Sequence, residues 1–164
     1  MTNRPEDRTA ELAAGLVDVL PRLLRRLRGD VPLAPPEGGS PAGPEWQSLT
    51  ELRGASGQVA LMSLLVEQQR ATMQYLAGRL AVTPATVTMM VKRLLAQGYV
   101  ARERDTEDWR LVWISPTERG REAIAFYNHE RRASLARRLS LLGEEDRAAL
   151  AAALPALRRL VEAG

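Results

Sequence analysis

Hydrophobic positions along the 164-residue chain recur mostly at steps of three and four, the spacing of helices that bury one face. Leu12, Leu16, Val19, Leu20, Leu23, Leu24 and Leu27 predict a helix over 9–28. Arg22, Arg25, Arg26 and Arg28 gather near its end, where cations suit the helix dipole. Pro21 falls inside this pattern and is expected to kink the helix or restart it. From 29 to 57 the periodicity stops. Pro32, Pro35, Pro36, Pro41 and Pro44 lie there with several glycines, so a loop or linker is expected. Trp46 and Leu49 are expected to pin its second half, through a short helical turn near 45–52.

Helical spacing returns over 58–69. Three short elements follow: a helix over 73–80, a helix over 84–97, and a strand pair over 99–104 and 111–115. Residues 117–141 read as helix again, with Ile124, Tyr127 or His129, Leu135 and Leu139 available for one face. Gly143 breaks that pattern. A last helix over 144–162 carries Leu150, Leu154, Leu157 and Val161 as a stripe, with Pro155 expected to bend it.

The segment 72–100 has the punctuation of a helix-turn-helix. Thr72 can cap the first helix, whose inner face is Leu76, Ala77 and Leu80. Ala81 and Val82 make a tight turn. Thr83 then offers a hydroxyl cap and Pro84 the preferred first helical residue. The second helix buries Val87, Met90, Val91, Leu94 and Leu95, and Gly98 ends it. Its other face carries Ala85, Thr86, Thr88, Met89, Lys92 and Arg93. Small residues at the start let such a helix enter a major groove about 12 Å wide. Threonine hydroxyls can bond bases or phosphates, and Lys92 and Arg93 would meet phosphates. The same pattern also describes a plain helical hairpin with a solvated face.

The strand pair weighs against the plain hairpin. Arg102 and Arg104 alternate on one face of the first strand, directly after the second helix, as in a basic wing whose arginine enters the minor groove. Asp105, Glu107 and Asp108 at its tip are acidic. Either they form an exposed acidic turn, or one of them holds the Arg110 guanidinium extended.

Composition narrows the function classes. Hydrophobic residues make up 45% and charged residues 26%, enough for a packed core. Net charge is +3, carried almost wholly by arginine, which suits an anionic partner and equally a GC-rich genome. The chain has no cysteine and one histidine, His129, so thiol redox sensing and multi-histidine metal sites are excluded and no cofactor is expected. No apolar run reaches membrane-spanning length and the first residues are too polar for a signal peptide, so a cytoplasmic protein without membrane contact is expected. No glycine-rich phosphate loop or paired nucleophile and base is evident, so an enzyme is not expected.

From about Gln58 to Gly120 the sequence resembles the MarR family of transcriptional regulators. The resemblance is carried by Leu76-Ala77, Thr86-Val87-Thr88, Val91, Leu94, Gly98-Tyr99-Val100, Asp108-Trp109-Arg110 and Thr117-Glu118-Arg119-Gly120. It implies a mostly α fold with a small β-wing: a winged helix-turn-helix flanked by N- and C-terminal dimerisation helices. The implied divisions are a dimerisation helix in 1–28, a linker in 29–57, the DNA-binding domain in 58–116 and dimerisation helices in 117–164. A homodimer would bind a pseudo-palindromic operator in double-stranded DNA, with repression the commoner outcome. The residues carried over to the DNA face are Thr72, Pro84, Ala85, Thr86, Thr88, Met89, Lys92, Arg93, Arg102 and Arg104. Arg110 is the wing arginine and Asp108 its orienting partner.

Two features depart from the family pattern. Met89 stands where many members carry arginine, which leaves the arginine's base contact unmade there, with thymine-methyl contact as the alternative. The 29–57 insertion is longer than the usual connection. The family also implies a small aromatic or phenolic effector, for which Leu16, Trp46, Met62, Phe126 and His129 are candidate lining residues, each also readable as core or interface. The competing function is a dimeric winged-helix adaptor that binds protein.

Overall fold

The computed structural model describes residues 5–31, 43–53 and 56–163. Seven helices and three strands follow in the order α1 (Pro5–Asp30), α2 (Pro44–Arg53), α3 (Ser56–Gln68), β1 (Ala71–Thr72), α4 (Met73–Leu80), α5 (Pro84–Ala96), β2 (Val100–Arg104), β3 (Val112–Pro116), α6 (Glu118–Leu139) and α7 (Glu144–Glu162). The described residues form two compact units, one drawn from Val31–Glu130, the other from Met1–Asp30 and Arg131–Gly164.

The Val31–Glu130 unit holds the core. Leu61, Met62 and Leu65 of α3, Leu76 of α4, and Val87, Val91 and Leu94 of α5 are buried with Ile114 of β3 and Ile124 and Tyr127 of α6. Each such side chain contributes roughly 1.5–3 kcal/mol of transfer free energy. With few aromatic residues, the cluster is mainly aliphatic.

Its sheet has the order β1–β3–β2, antiparallel throughout. The hairpin register pairs Arg102 with Ile114, Glu103 with Trp113 and Arg104 with Val112. Pairing also occurs at β1, where Ala71 faces Ile114 and Thr72 faces Trp113. That third strand has no counterpart in the sequence reading, because two residues are too few to show a period.

The stretch expected as a linker differs most. Residues 44–53 form the full helix α2, opened by Pro44 at a position that needs no N–H donor. Leu49 and Leu52 are completely buried and Val31 joins the same core. The short turn expected near 45–52 is thus a longer helix, and Leu52, not singled out in the sequence, is buried beside the expected Leu49. The remaining prolines, Pro32, Pro35, Pro36 and Pro41, lie outside the described residues.

In the other unit, α1 continues through Pro21, so the helix does not restart there, and α7 continues through Pro155. Val17 and Pro21 are exposed, so water can take up the carbonyl left without its i+4 donor. Both helices keep large apolar side chains in solvent. Leu12, Val17, Val19, Leu20, Leu23 and Leu24 are exposed on α1, and Leu150, Leu154, Leu160 and Val161 on α7.

Candidate nucleic-acid interface

The two helices of the hairpin are set by their caps. Thr72 is extended and its hydroxyl oxygen accepts from the Tyr75 N–H at 3.3 Å. After Leu80, Ala81 adopts left-handed φ of 51°, and Val82 N–H bonds the Ala77 carbonyl at 3.2 Å. That conformation costs a non-glycine residue about 1 kcal/mol, and the bonds of the turn hold it. Thr83 then caps α5, its hydroxyl oxygen accepting from Thr86 N–H at 3.2 Å, with Pro84 at the first helical position.

At the far end, Tyr99 N–H reaches the Leu94 carbonyl and Gly98 N–H the Leu95 carbonyl, with Gly98 at φ +73°. This is a Schellman turn, and only glycine enters it without strain. Tyr99 is thereby placed in the core, where its hydroxyl donates to a Glu51 carboxylate oxygen at 2.5 Å. Burial, and then Glu51, pushes its pKa up. The Thr117-Glu118-Arg119-Gly120 motif grips the same turn. The Thr117 hydroxyl donates to the Gly98 carbonyl at 2.7 Å, and Thr117 N–H donates to the Tyr99 carbonyl at 3.0 Å.

Pro84, Ala85, Thr86, Thr88, Met89, Lys92 and Arg93 are all exposed on α5, while Val87, Val91 and Leu94 are buried. The hydroxyl of Thr88 donates to the Pro84 carbonyl at 2.9 Å, and those of Thr83 and Thr86 share a bond of 2.8 Å. Thr88 therefore offers outward a methyl group and acceptor lone pairs. Thymine methyls and exocyclic amines of adenine and cytosine match that offer. Met89, 56% exposed, adds an apolar contact at the same face. Thr72, half-buried, serves chiefly as the cap of α4.

On the hairpin, Arg102 and Arg104 are exposed. Among the described residues, none of Arg79, Lys92, Arg93, Arg102, Arg104 and Arg110 is in an ion pair. Six cations without acidic partners mark this unit as a surface for an anion.

The wing tip is built differently from the expected acid–guanidinium contact. One Asp108 carboxylate oxygen accepts from the backbone N–H of Arg110 at 3.0 Å, so Asp108 shapes the turn and leaves the guanidinium free. That guanidinium lies over the Trp109 ring, 5.7 Å from its centroid. A second carboxylate, Asp105, does most of the bonding. It accepts from Glu107 N–H at 2.9 Å, Asp108 N–H at 3.0 Å and the Trp113 indole N–H at 2.6 Å. Arg70 covers the other partner, its guanidinium 4.4 Å from the Trp113 ring centroid. Sequence reasoning missed this buttress. The pairing of residues 105 and 113 is set by hairpin register, and the only advance signal was an aspartate opening a turn.

Donation from Asp108 N–H, Trp113 and Glu107 N–H holds the Asp105 pKa down at about 2. A carboxyl depressed in the folded state adds stability above its ordinary pKa and loses it as pH falls through the folded value. The Trp113 indole N–H resonance is therefore expected to titrate with a midpoint of about 2. A midpoint at the ordinary aspartate value would show that the buttress is absent in solution.

The expected effector residues occupy different settings. Met62 is fully buried in the core. His129 is exposed, its Nε2 4.0 Å from Glu130. Leu16 belongs to the other unit. Trp46 and Phe126 meet edge to face at 5.2 Å and pack against the core cluster that holds Met62. Phe126 also borders a cleft of about 580 Å³ between α2 and α6, with Pro44, Glu45, Ser48, Arg119, Glu122 and Ala123.

Comparison with known proteins bears on the whole arrangement. A family model described as the MarR family matches residues 56–112. The HTH-type transcriptional repressor MdtR of Bacillus subtilis is 31% identical over 104 residues, 63% of this chain and 67% of its own. An HTH-type transcriptional regulator of Mycobacterium tuberculosis is 29% identical over 156 residues, 95% of this chain and 96% of its own. Among solved structures, a MarR family protein from Bacillus stearothermophilus superposes with a TM-score of 0.70 at 23% identity, covering 97% of this chain and 99% of its own. The transcriptional regulator BldR from Sulfolobus solfataricus gives 0.68 at 20% identity over 98% and 99% of the two chains. At these identities the structures testify to the fold. No helix among the described residues is long and apolar enough to cross a membrane.

Proposed function

The chain belongs to the MarR family of transcriptional regulators, and on that ground we propose that it represses transcription by binding a pseudo-palindromic operator as a homodimer. The observation that carries this reading is the exposed face of α5, small and apolar at its start and cationic at its end, joined in one compact unit to an arginine-bearing wing. α5 enters the major groove, where Thr86, Thr88 and Met89 meet base edges and Lys92 and Arg93 meet phosphates. Arg102 and Arg104 follow the backbone, and Arg110 enters the minor groove from the wing tip. The wing and α5 form the DNA-binding division, and the helices at both ends form the dimer body. Support for the dimer comes from the leucines and valines that α1 and α7 leave in solvent, since such stripes are a cost to a lone chain and a gain to a paired one.

The test is a titration of the protein on its own upstream DNA at low salt, beside Arg110→Ala. Retention of the wild-type complex is expected, and the variant should bind more weakly by about 1–3 kcal/mol while keeping its dimer mass. No retention at any protein concentration would end the regulator reading. Wild-type affinity in the variant would remove Arg110 from the wing's role.

A further inference from the structure

The wing tip presents an aromatic ring that the core does not use. Trp109 is 71% exposed, the most exposed aromatic side chain among the large apolar residues left in solvent. Its backbone is far from loose. Asp105 N–H bonds the Leu111 carbonyl at 3.0 Å, and Leu111 N–H bonds the Asp108 carbonyl at 2.9 Å. The Asp105 and Asp108 carboxylates take three further backbone N–H groups of the same turn. The indole is thus displayed on a cross-braced turn, with the Arg110 guanidinium lying over its ring. Both aspartates turn carboxylate oxygens back onto the turn's own N–H groups. Outward, the tip shows the exposed Glu107 side chain, together with an apolar ring and a guanidinium that pairs with no acid among the described residues.

A partner for that pair must offer apolar walls close to negative charge. The minor groove of duplex DNA does so: its walls are deoxyribose rings, and its negative potential attracts arginine. Apolar side chains are used there as wedges or wall contacts. We propose that Trp109 is a second DNA-contacting residue of the wing, packing its indole against the minor-groove walls beside Arg110. The proposal rests on the DNA-binding reading above and adds to it a contact that carries no charge. Its energy comes from apolar area removed from water, so it releases no counterion and leaves the salt dependence of binding unchanged.

The experiment titrates the upstream duplex with wild-type protein, Trp109→Ala, Trp109→Phe, Arg110→Ala and the Trp109→Ala/Arg110→Ala double variant, at several salt concentrations. Trp109→Ala is expected to bind about tenfold more weakly with the wild-type salt slope, and Trp109→Phe to lose much less. Tryptophan emission should change on DNA binding in the wild type and hardly at all in Trp109→Phe. The double variant should bind more weakly than Arg110→Ala alone. If it binds no worse, the indole acts only by holding the guanidinium, and direct contact is overturned. Unchanged affinity of Trp109→Ala, with wild-type protein still bound, overturns this proposal alone and turns the exposed ring towards a protein partner. Failure of the wild type to bind the duplex overturns both this and the regulator reading.

Discussion

Raising the salt from about 50 to about 200 mM is expected to weaken DNA binding by roughly five-hundredfold for one chain's contacts. The estimate takes Arg79, exposed in the last turn of α4, as a fifth phosphate contact beside Lys92, Arg93, Arg102 and Arg104, none of which is in an ion pair among the described residues. Phosphate contacts by all five give a slope of about −4.5 in log affinity against log salt. Two chains on one operator steepen it. A cation already paired with a carboxylate would release fewer counterions, so the missing acidic partners decide the size of the effect. Filter binding or fluorescence anisotropy across the salt range checks it. A nearly flat response with retained affinity would mean that the surface does not meet phosphates, and would favour the adaptor reading.

The second large effect is on stability. Gly120→Ala is expected to destabilise the fold by roughly 3 kcal/mol, within the range of overpacked sites. Helix propensity pulls the other way, since alanine is favoured over glycine inside a helix by roughly 0.5–1 kcal/mol. Steric overlap wins because a Cβ at position 120 would run into the Tyr99 carbonyl oxygen, with the Met62 methyl 2.9 Å away. The backbone carbonyl is the contact that cannot yield, and burial limits where the Met62 methyl can go. Met62 is fully buried, and the Tyr99 carbonyl already accepts the Thr117 N–H at the turn that ends α5. For a chain of this length the midpoint of thermal unfolding should fall by roughly 6–12 °C. An unchanged melt would show that α6 can shift away from the α5–β2 turn at little cost.

The close approach at Gly120 gives a structural meaning to a stretch that the sequence marks only by its likeness to the family. Thr117 caps α6, accepting from Gly120 N–H at 3.1 Å, and clamps the Gly98–Tyr99 turn with its own hydroxyl. That clamp ties the start of α6 to the turn between α5 and β2. Arg119 stacks on the Tyr99 ring at 4.9 Å and also lines the cleft between α2 and α6.

Local chemistry is legible in the sequence itself. The Thr72 and Thr83 caps, Pro84 at the start of α5, Gly98 at its end and the alternation of Arg102 and Arg104 each depend on residues within a few positions of one another. Backbone sterics and capping act at that range, so the sequence alone determined the hairpin helices, the strand pair and the exposed face of α5. Contacts between distant positions were decided by the tertiary structure. Packing drew Leu49 and Leu52 of the supposed linker into the core. Strand register brought Trp113 to Asp105. Ala71 and Thr72 became a strand only because β3 offered an open edge. Burial and register depend on where the rest of the chain lies, and no window of neighbouring residues carries that information.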